Sequence, residues 1–270
     1  MSIEKLKEKY ISAEKLKEKY ISAQWLNFVQ QAIVQIDLAR EIYCKNSDSE
    51  RHRNGRRKAI APIENTHASI SIILLNSAIE GLCNAQAFWV KQKNFNQWDS
   101  LSNKLKKIIP NIDNNLLNAL LEFDFIRNTI VHGYIWIKLR RYKKDFSFKY
   151  VKSYLWRPFK NNKNFKNLVN WAERRTKNYK FSIIPTEINF VDALMGLSIT
   201  SKITGFFGWN NHIKIHNLKR IGFSEQTSAI PLKDSPDNLL DWLEYFKGFL
   251  SNYDKKILEN LLKDIQFLKY

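Results

Sequence analysis

Apolar side chains recur at three- and four-residue steps over most of this chain, and that spacing is the period of an α-helix. Between Gln24 and Cys44 the repeating positions are Trp25, Phe28, Val29, Ala32, Ile33, Ile36 and Ala39. Glycine and proline, which supply the turns of β-sandwiches, number only 8 and 6 among 270 residues. The sequence therefore predicts a mainly α fold built of long helices.

Four more helices are expected in the middle of the chain, at about 63–90, 100–109, 113–132 and 187–207. Pro110 ends the second of these because proline cannot continue a helix, and Asp113 is a suitable N-cap for the third. Residues 45–62 are polar and basic without the helical period, and we expect a loop there. After a connector over 208–234, Ser235 and Pro236 mark the start of two closing amphipathic helices.

The chain begins with a tandem duplication, because EKLKEKYISA occupies 4–13 and is repeated without change at 14–23. Ten residues turn an ideal helix by ~1000°, which is ~80° short of whole turns, so the repeated Leu6 and Leu16 do not share a stripe. Two copies are also too few for a solenoid, which needs about three. We interpret residues 1–23 as an extension in which a recent in-frame duplication lengthens a solvated helix. A functional basic arm is the alternative.

Positive charge is concentrated in one part of the chain. Between Lys138 and Lys180 there are fifteen Lys and Arg residues against Asp145 and Glu173, so this part supplies +13 of the formal net charge of +18. Such a balance is typical of a protein with a polyanionic partner, most often nucleic acid and less often an anionic membrane surface. We expect RNA as the partner, and no membrane.

Ten aromatic residues are interleaved with these cations. Because bases stack on aromatic faces while Lys and Arg bind phosphates, this part of the chain predicts a platform for RNA. The residues expected to bind RNA are Arg140, Arg141, Lys143, Lys144, Arg157, Lys160, Arg174 and Arg175. Alternation with period two at 146–150 and 179–183 predicts a small antiparallel ribbon. The alternative is a folded subdomain whose aromatic residues form a small core and whose charge is solvated.

The sequence lacks the motifs of several other kinds of catalytic or binding site. Glycine-rich phosphate loops, G-x-S-x-G, H-E-x-x-H and C-x-x-C are all absent. His212 and His216 have the spacing of a helical metal pair, but no Cys or carboxylate cluster lies near them, so we expect no metal. Cys44 and Cys83 are expected as reduced thiols of a cytoplasmic protein. The N-terminus is too charged for a secretory segment, and no apolar run approaches the ~20 residues that span a bilayer.

The strongest candidates for chemistry are Arg127, Asn128 and His132, near the end of a predicted helix. Histidine is suited to proton transfer near neutral pH, and the planar guanidinium of arginine fits phosphate. Five positions along a helix correspond to ~140° of net rotation and a rise of ~7.5 Å, so Arg127 and His132 cannot converge on one phosphate within a regular helix. Either the helix bends, or two copies of the protein pack these helices around a shared cleft. Asn128 lies on the same face as His132 and could orient a phosphate or ribose hydroxyl beside it.

These residues carry a family resemblance. Arg127-Asn128-x-x-x-His132 resembles the R-x4-6-H signature of HEPN-domain ribonucleases, including the usual polar residue after the arginine. The preceding helix is also similar, because Glu80 and Asn84 reproduce the E-x-x-x-N pattern common in that superfamily. The resemblance covers about 24–209, with 138–186 as a basic aromatic insertion, whereas 1–23 and the connector and helical hairpin of 210–270 lie outside it.

The resemblance implies an antiparallel helical bundle that dimerises through the motif helices and cuts RNA without a metal or other cofactor. The ribose 2′-OH would attack the adjacent phosphate and leave 2′,3′-cyclic phosphate and 5′-OH ends. In that mechanism His132 would transfer the proton and Arg127 would bind the scissile phosphate. Asn128 would assist, and Glu80 would orient Arg127.

The segment Arg127-x4-His132-Gly133-Tyr134 also resembles the R-x4-H-x-Y form of HEPN toxins that are silenced when a nucleotidyltransferase partner adenylylates the tyrosine. Tyr134 would then be the modified residue, and otherwise it is an amphipathic residue at the edge of the bundle. The family suggests a toxin or anti-phage effector. Two other functions are open: a non-catalytic RNA-binding or scaffolding module, and an interaction protein whose C-terminal helices bind a partner.

Overall fold

The computed structural model describes residues 3–45, 62–92, 94–96, 99–132, 136–142, 148–155, 167–207 and 238–263. The mainly α prediction is confirmed, with a small β component. The helices are α1 (Ile3–Lys45), α2 (Pro62–Trp89), α3 (Leu101–Ile108), α4 (Asn114–His132), α5 (Phe190–Phe206), α6 (Leu239–Lys247) and α7 (Asn252–Lys263). The strands are β1 (Trp136–Tyr142), β2 (Phe148–Leu155), β3 (Val169–Asn170) and β4 (Arg175–Thr176), and Pro185–Glu187 forms a 3-10 turn.

Helix α1 contains both the duplication and the amphipathic stretch that follows it, in one run of 43 residues. The duplicated residues are therefore helical and continuous with the helix that follows them. From Trp25 onward the apolar side of α1 packs against α2, and the two helices are antiparallel. At the middle of α1 Trp25 lies beside Gly81, in the second half of α2, whereas later in α1 Gln35 Oε1 lies 2.7 Å from His67 Nδ1, near the start of α2.

Helix α2 is central, because it packs against α1, α3, α4 and α5. By length and composition alone its segment Pro62–Phe88 could cross a membrane, which the sequence analysis did not anticipate. However, 61% of its most apolar window is buried inside the protein. A position at the centre of the helical core thus accounts for the apolar composition of α2.

Helix α5 is buried on nearly all sides and completes the core. Its N-terminus carries a capping box, in which the Asn189 side chain accepts from the Asp192 backbone N–H and the Asp192 side chain accepts from the Asn189 backbone N–H. The buried Glu64 on α2 accepts a further hydrogen bond from the Phe190 backbone N–H at 3.2 Å. The first turns of α2 and α5 are thereby held together.

The two C-terminal helices belong to the same core as the rest of the bundle. Trp242, Phe246 and Leu258 are almost completely buried in the cluster formed by α1, α2 and α5. The predicted start of α6 is wrong by about one turn, because its N-cap is Asn238, whose side chain accepts from the backbone N–H groups of Leu240 and Asp241. Asparagine caps a helix as well as serine does, so local sequence alone did not separate the two positions. Ser235 and Pro236 lie outside the described residues.

A small antiparallel ribbon is present, but the prediction of a ribbon strand over 179–183 is wrong. Strand β2 pairs with β1, with a register irregularity between Leu139 and Arg140. The segment 179–183, predicted to alternate as a strand, instead makes one isolated bridge from Ser182 to Arg175. Tyr179, Phe181 and Ile183 are buried in the helical core. The alternation therefore marked side chains that insert between helices and was no sign of a ribbon strand.

Candidate functional site

Helix α4 carries Arg127, Asn128 and His132. As predicted, Asp113 caps it, since the Asp113 carboxylate accepts from the Leu116 backbone N–H at 3.2 Å. The apolar side of α4 is buried through Leu116, Leu117, Leu120, Phe123 and Ile126. This leaves Arg127 and Asn128 half-buried at the edge of the core, whereas His132, the last residue of the helix, is exposed.

The Arg127 guanidinium is fixed at the edge of the core. Its Nη1 donates to Asn128 Oδ1 at 2.8 Å. Its Nε is buried and has no hydrogen-bond partner among the described residues. A buried guanidinium N–H without a partner is unfavourable by roughly 1–3 kcal/mol.

Arg127 and His132 both belong to one continuous α-helix, Asn114–His132. Their separation along α4 therefore stays near ~7.5 Å of rise and ~140° of rotation. In a regular helix these values keep the two side chains of one protomer from converging on a single phosphate, so the cleft shared by two copies stays a prediction.

Glu80 does not have the partner expected for it. Its Oε1 accepts from Lys104 Nζ at 2.6 Å, on the neighbouring helix α3. The Lys104 side chain is completely buried, whereas that of Glu80 is 43% exposed. A buried ammonium group without a counter-ion is strongly unfavourable, so Glu80 is held by Lys104 and is not the hydrogen-bonded partner of Arg127. Sequence analysis missed Lys104, although its place between Leu101 and Leu105 on a short amphipathic helix was a usable signal.

Asp124 lies one turn before Arg127 on α4. Burial raises the pKa of Asp124, while the positive charge of Arg127 opposes that rise. The Asn76 amide on α2 also favours the ionised form, although its Nδ2 makes no hydrogen bond of standard geometry among the described residues. Glu80 and Lys104 act on the same carboxylate with opposite signs. The polar side chains of α2, α3 and α4 thus meet in one cluster, defined here as Asn76, Glu80, Lys104, Asp124 and Arg127.

The residues predicted to bind RNA are only partly described. Arg140 and Arg141 lie on β1, whereas Lys143, Lys144, Arg157 and Lys160 are outside the described residues, as are Tyr134, His212 and His216. Arg174 is exposed, on a turn where its φ is 56°. Arg175 is half-buried, and its Nη1 donates to the Lys180 carbonyl oxygen at 2.7 Å. Arg175 therefore stabilises its own turn, a role not anticipated from the sequence.

A buried carboxylate attaches this basic turn to α4. Glu122 accepts from the backbone N–H groups of Asn178 at 2.9 Å and Tyr179 at 2.8 Å. Burial raises the pKa of Glu122, and its hydrogen bonds with Thr176, Asn178 and Tyr179 oppose the rise. The turn that carries Arg174 is thereby fixed to the same helix as Arg127, a link that no local pattern could reveal.

Within the described ranges no group of three or more His, Cys, Asp or Glu side chains is arranged to hold a metal ion. Neither Cys44 nor Cys83 forms a disulfide within the described residues, and burial raises the pKa of Cys83 to about 12. No family model, curated protein or solved structure matches this chain. The residues themselves and the motif resemblance are what bear on the function of this chain.

Proposed function

We propose that this chain is a metal-independent endoribonuclease of the HEPN type. The observation that carries the proposal is the end of α4, where an exposed His132 follows a half-buried Arg127 whose guanidinium is fixed by Asn128. Strand β1 of the basic ribbon begins at Trp136, shortly after His132. A proton-transfer group, a phosphate-binding cation and a basic ribbon thus follow one another along a short stretch of chain.

The reaction is an internal transfer of the phosphodiester. The ribose 2′-oxygen forms a new bond to the adjacent phosphorus, its proton passes to a base, and the bond from phosphorus to the 5′-oxygen breaks. The leaving oxygen takes up a proton, so the products are a 2′,3′-cyclic phosphate and a 5′-OH. His132 transfers the protons, and Arg127 stabilises the charge that builds up on the phosphate oxygens.

Two copies of the chain complete the site in this proposal. Because one α4 cannot aim Arg127 and His132 at the same phosphate, the helices of a homodimer provide the shared cleft. Val131, next to His132, is 46% exposed, and a dimer contact along α4 would cover it. RNA binds along the ribbon and the turn at Arg174, through the basic residues identified from the sequence.

The biological role that fits this chemistry is a cytoplasmic toxin or anti-phage effector. Tyr134, two positions after His132, is the proposed site of adenylylation by a nucleotidyltransferase antitoxin. Intact-mass measurement after co-expression with a neighbouring nucleotidyltransferase tests that part of the proposal separately, because the added adenylyl group would disappear in Tyr134→Phe.

The competing function is a non-catalytic RNA-binding module, in which Arg127 binds phosphate and the RNA is not cleaved. The two are separated by incubating purified protein with RNA in EDTA and analysing the RNA ends. The ribonuclease yields cyclic-phosphate and 5′-OH ends, and this yield disappears in the His132→Ala protein. A complex with intact RNA would favour the non-catalytic module, whereas cleavage that needs added metal would overturn the metal-independent mechanism.

A further inference from the structure

Three non-glycine residues among those described have a positive φ, and all three are cations: Lys91, Arg174 and Lys180. This left-handed region favours glycine, because a Cβ there lies too close to the following carbonyl oxygen. Lys91 follows the last turn of α2, where a left-handed residue commonly ends a helix. Arg174 and Lys180 each have a φ of 56° and lie in the segment 171–180, named here the basic turn. No helix end accounts for them, and residues held in such a conformation cluster at binding sites.

The basic turn is attached to α4 at two points. The buried Glu122 carboxylate accepts from the backbone N–H groups of Asn178 at 2.9 Å and Tyr179 at 2.8 Å. The Tyr179 hydroxyl in turn donates to the Asn115 carbonyl oxygen, in the first turn of α4, at 2.8 Å. The conformation of the basic turn is therefore fixed from its buried side, before any ligand arrives.

The cations of the basic turn divide into two groups. Arg175 Nη1 donates to the Lys180 carbonyl oxygen at 2.7 Å, and Lys180 Nζ donates to Glu173 Oε2 at 2.8 Å, so both side chains are used within the turn. Arg174 and Lys177 are exposed. Among the described residues no carboxylate or carbonyl oxygen binds the Arg174 guanidinium or the Lys177 ammonium. Lys177 was not identified from the sequence.

We propose that the basic turn is a preformed binding site for the phosphates of a single-stranded RNA, with Arg174 and Lys177 as its phosphate-binding residues and Glu122 as the positioning residue. The identity of the polyanion as RNA rests on the proposed function. Because the turn is already ordered, binding does not carry the entropic cost of ordering it. Glu122 and Arg127 belong to the same helix, so a strand bound at the turn is held in a fixed relation to the proposed cleavage site.

The left-handed conformation of Arg174 allows its charge and its contribution to stability to be separated. Arg174→Gly removes the guanidinium, whereas glycine adopts a φ of 56° without strain, which offsets its greater freedom in the unfolded chain. We expect a melting temperature that does not fall, together with a slope of log affinity against log salt concentration that is smaller by about 0.7. A slope change of that size corresponds to about a fivefold loss of affinity at 0.1 M salt relative to 1 M salt.

Lys91→Gly is the matched control for Arg174→Gly. It also replaces an exposed cation with a positive φ, 50°, by glycine, but at the end of α2 and outside the basic turn. We expect Lys91→Gly to keep the salt dependence of wild type and Lys177→Ala to reproduce the change in Arg174→Gly. Equal losses of slope in Lys91→Gly and Arg174→Gly would show an effect of net charge alone and would overturn the inference.

The positioning role of Glu122 is tested by coupling. Glu122→Gln offers one acceptor oxygen in place of two, so one backbone N–H of the turn loses its partner. If Glu122 acts through the turn, Arg174→Gly should change the salt slope less in the Glu122→Gln protein than in wild type. Tyr179→Phe, which removes the bond to Asn115 and keeps the ring, should show the same coupling. A merely structural role leaves the effect of Arg174→Gly at full size in both backgrounds, at a temperature where every variant is folded.

The probe is a short, fluorescently labelled single-stranded RNA whose riboses are all 2′-O-methylated, so that it binds without reacting. Its affinity for the full chain is measured by fluorescence anisotropy across a salt series. If wild type cleaves unmodified RNA and Arg174→Gly binds the probe with the slope of wild type, the inference is wrong and the ribonuclease stands. If wild type cleaves no RNA but Arg174→Gly and Lys177→Ala each lower the slope for the probe, the ribonuclease proposal is wrong and the phosphate-binding turn stands.

Discussion

Tyr43, at the end of α1, donates a hydrogen bond from its hydroxyl to Asp254 Oδ2 at 2.7 Å, joining residues 211 positions apart in the chain. The same hydroxyl accepts from the Ser251 backbone N–H at 3.1 Å. Burial raises the pKa of Tyr43 to about 12, so the phenol keeps its proton for this bond. These hydrogen bonds thereby join α1, the first described helix, to the start of α7, the last.

Tyr43→Phe should loosen the C-terminal helices without disturbing the centre of the bundle. The ring that packs 5.0 Å from the Phe190 ring is retained, whereas Asp254 and the Ser251 N–H each lose a partner. We expect a loss of about 1–3 kcal/mol in the free energy of unfolding. Hydrogen exchange should show the largest increase in α7 and the smallest in α2. An equal increase in the exchange rate throughout the chain would contradict a local stabilisation at Asp254.

The pair Glu80 and Lys104 should respond asymmetrically to substitution. Glu80→Gln leaves the fully buried Lys104 ammonium without a counter-ion, whereas Lys104→Met leaves a carboxylate that is 43% exposed and can be hydrated. Because Glu80 is partly exposed, we expect Glu80→Gln to lower the free energy of unfolding by an amount at or below the lower end of the roughly 3–5 kcal/mol seen for buried pairs. Lys104→Met should lower the free energy of unfolding by clearly less. Urea unfolding of both variants and of the double variant provides the comparison, and an equal loss for both single variants would contradict it.

Glu122 predicts a dependence of stability on pH. Its pKa in the folded protein is raised above the ordinary 4.5, so the folded state holds this proton more tightly than the unfolded state. The corresponding stabilisation is fully present below about pH 4.5 and is lost as pH rises through the folded pKa. Wild type should therefore lose stability relative to Glu122→Gln as the pH rises above about 4.5. Urea unfolding at several pH values tests this prediction, and Glu259→Gln, at an exposed position, is the control. If the free energy of unfolding varies with pH in the same way for wild type and Glu122→Gln, the prediction is contradicted.

The helices could be predicted because their signal is local. Apolar positions at helical steps gave α1, α2, α4 and α5, and a single side chain, Asp113, gave the start of α4. The cluster around Arg127 could not be predicted in the same way. Lys104 meets Glu80 from another helix, and Glu122 binds backbone N–H groups 56 and 57 positions away, so both contacts arise only when the helices pack.

The same reasoning explains the error at 179–183. An alternation of apolar residues predicts a half-buried strand only if the intervening residues face water. Here Ser182 is also buried, 1% exposed, and only the other intervening residue, Lys180, is partly exposed, so the segment has no continuous side that faces water. The side chains of this segment pack against the helices and not against a neighbouring strand, and one sequence does not specify that tertiary environment.

Binding of RNA by the basic ribbon should depend steeply on salt. Each phosphate contact that is lost lowers the slope of log affinity against log salt concentration by about 0.7 for single strands. Arg140→Ala combined with Arg141→Ala should therefore reduce that slope, whereas Arg175→Ala, whose guanidinium is engaged with the Lys180 carbonyl, should reduce it less. Fluorescence anisotropy with a non-cleavable RNA across a salt series measures both. An affinity that is flat with salt would argue against a ribbon that binds phosphates.

His132 provides the sharpest test of the proposed chemistry, because it is exposed at the end of α4 and its replacement should leave the core intact. His132→Ala should lower the rate of RNA cleavage by about 10²–10⁴-fold, the usual contribution of a positioned acid or base, with little change in RNA affinity or melting temperature. The matched control is His67→Gln, which replaces a half-buried histidine of α2 that lies 2.7 Å from Gln35. If His132→Ala cuts RNA as fast as wild type, proton transfer by this imidazole is excluded. Arg127 would then be a phosphate-binding residue of a protein that does not use the reaction proposed above.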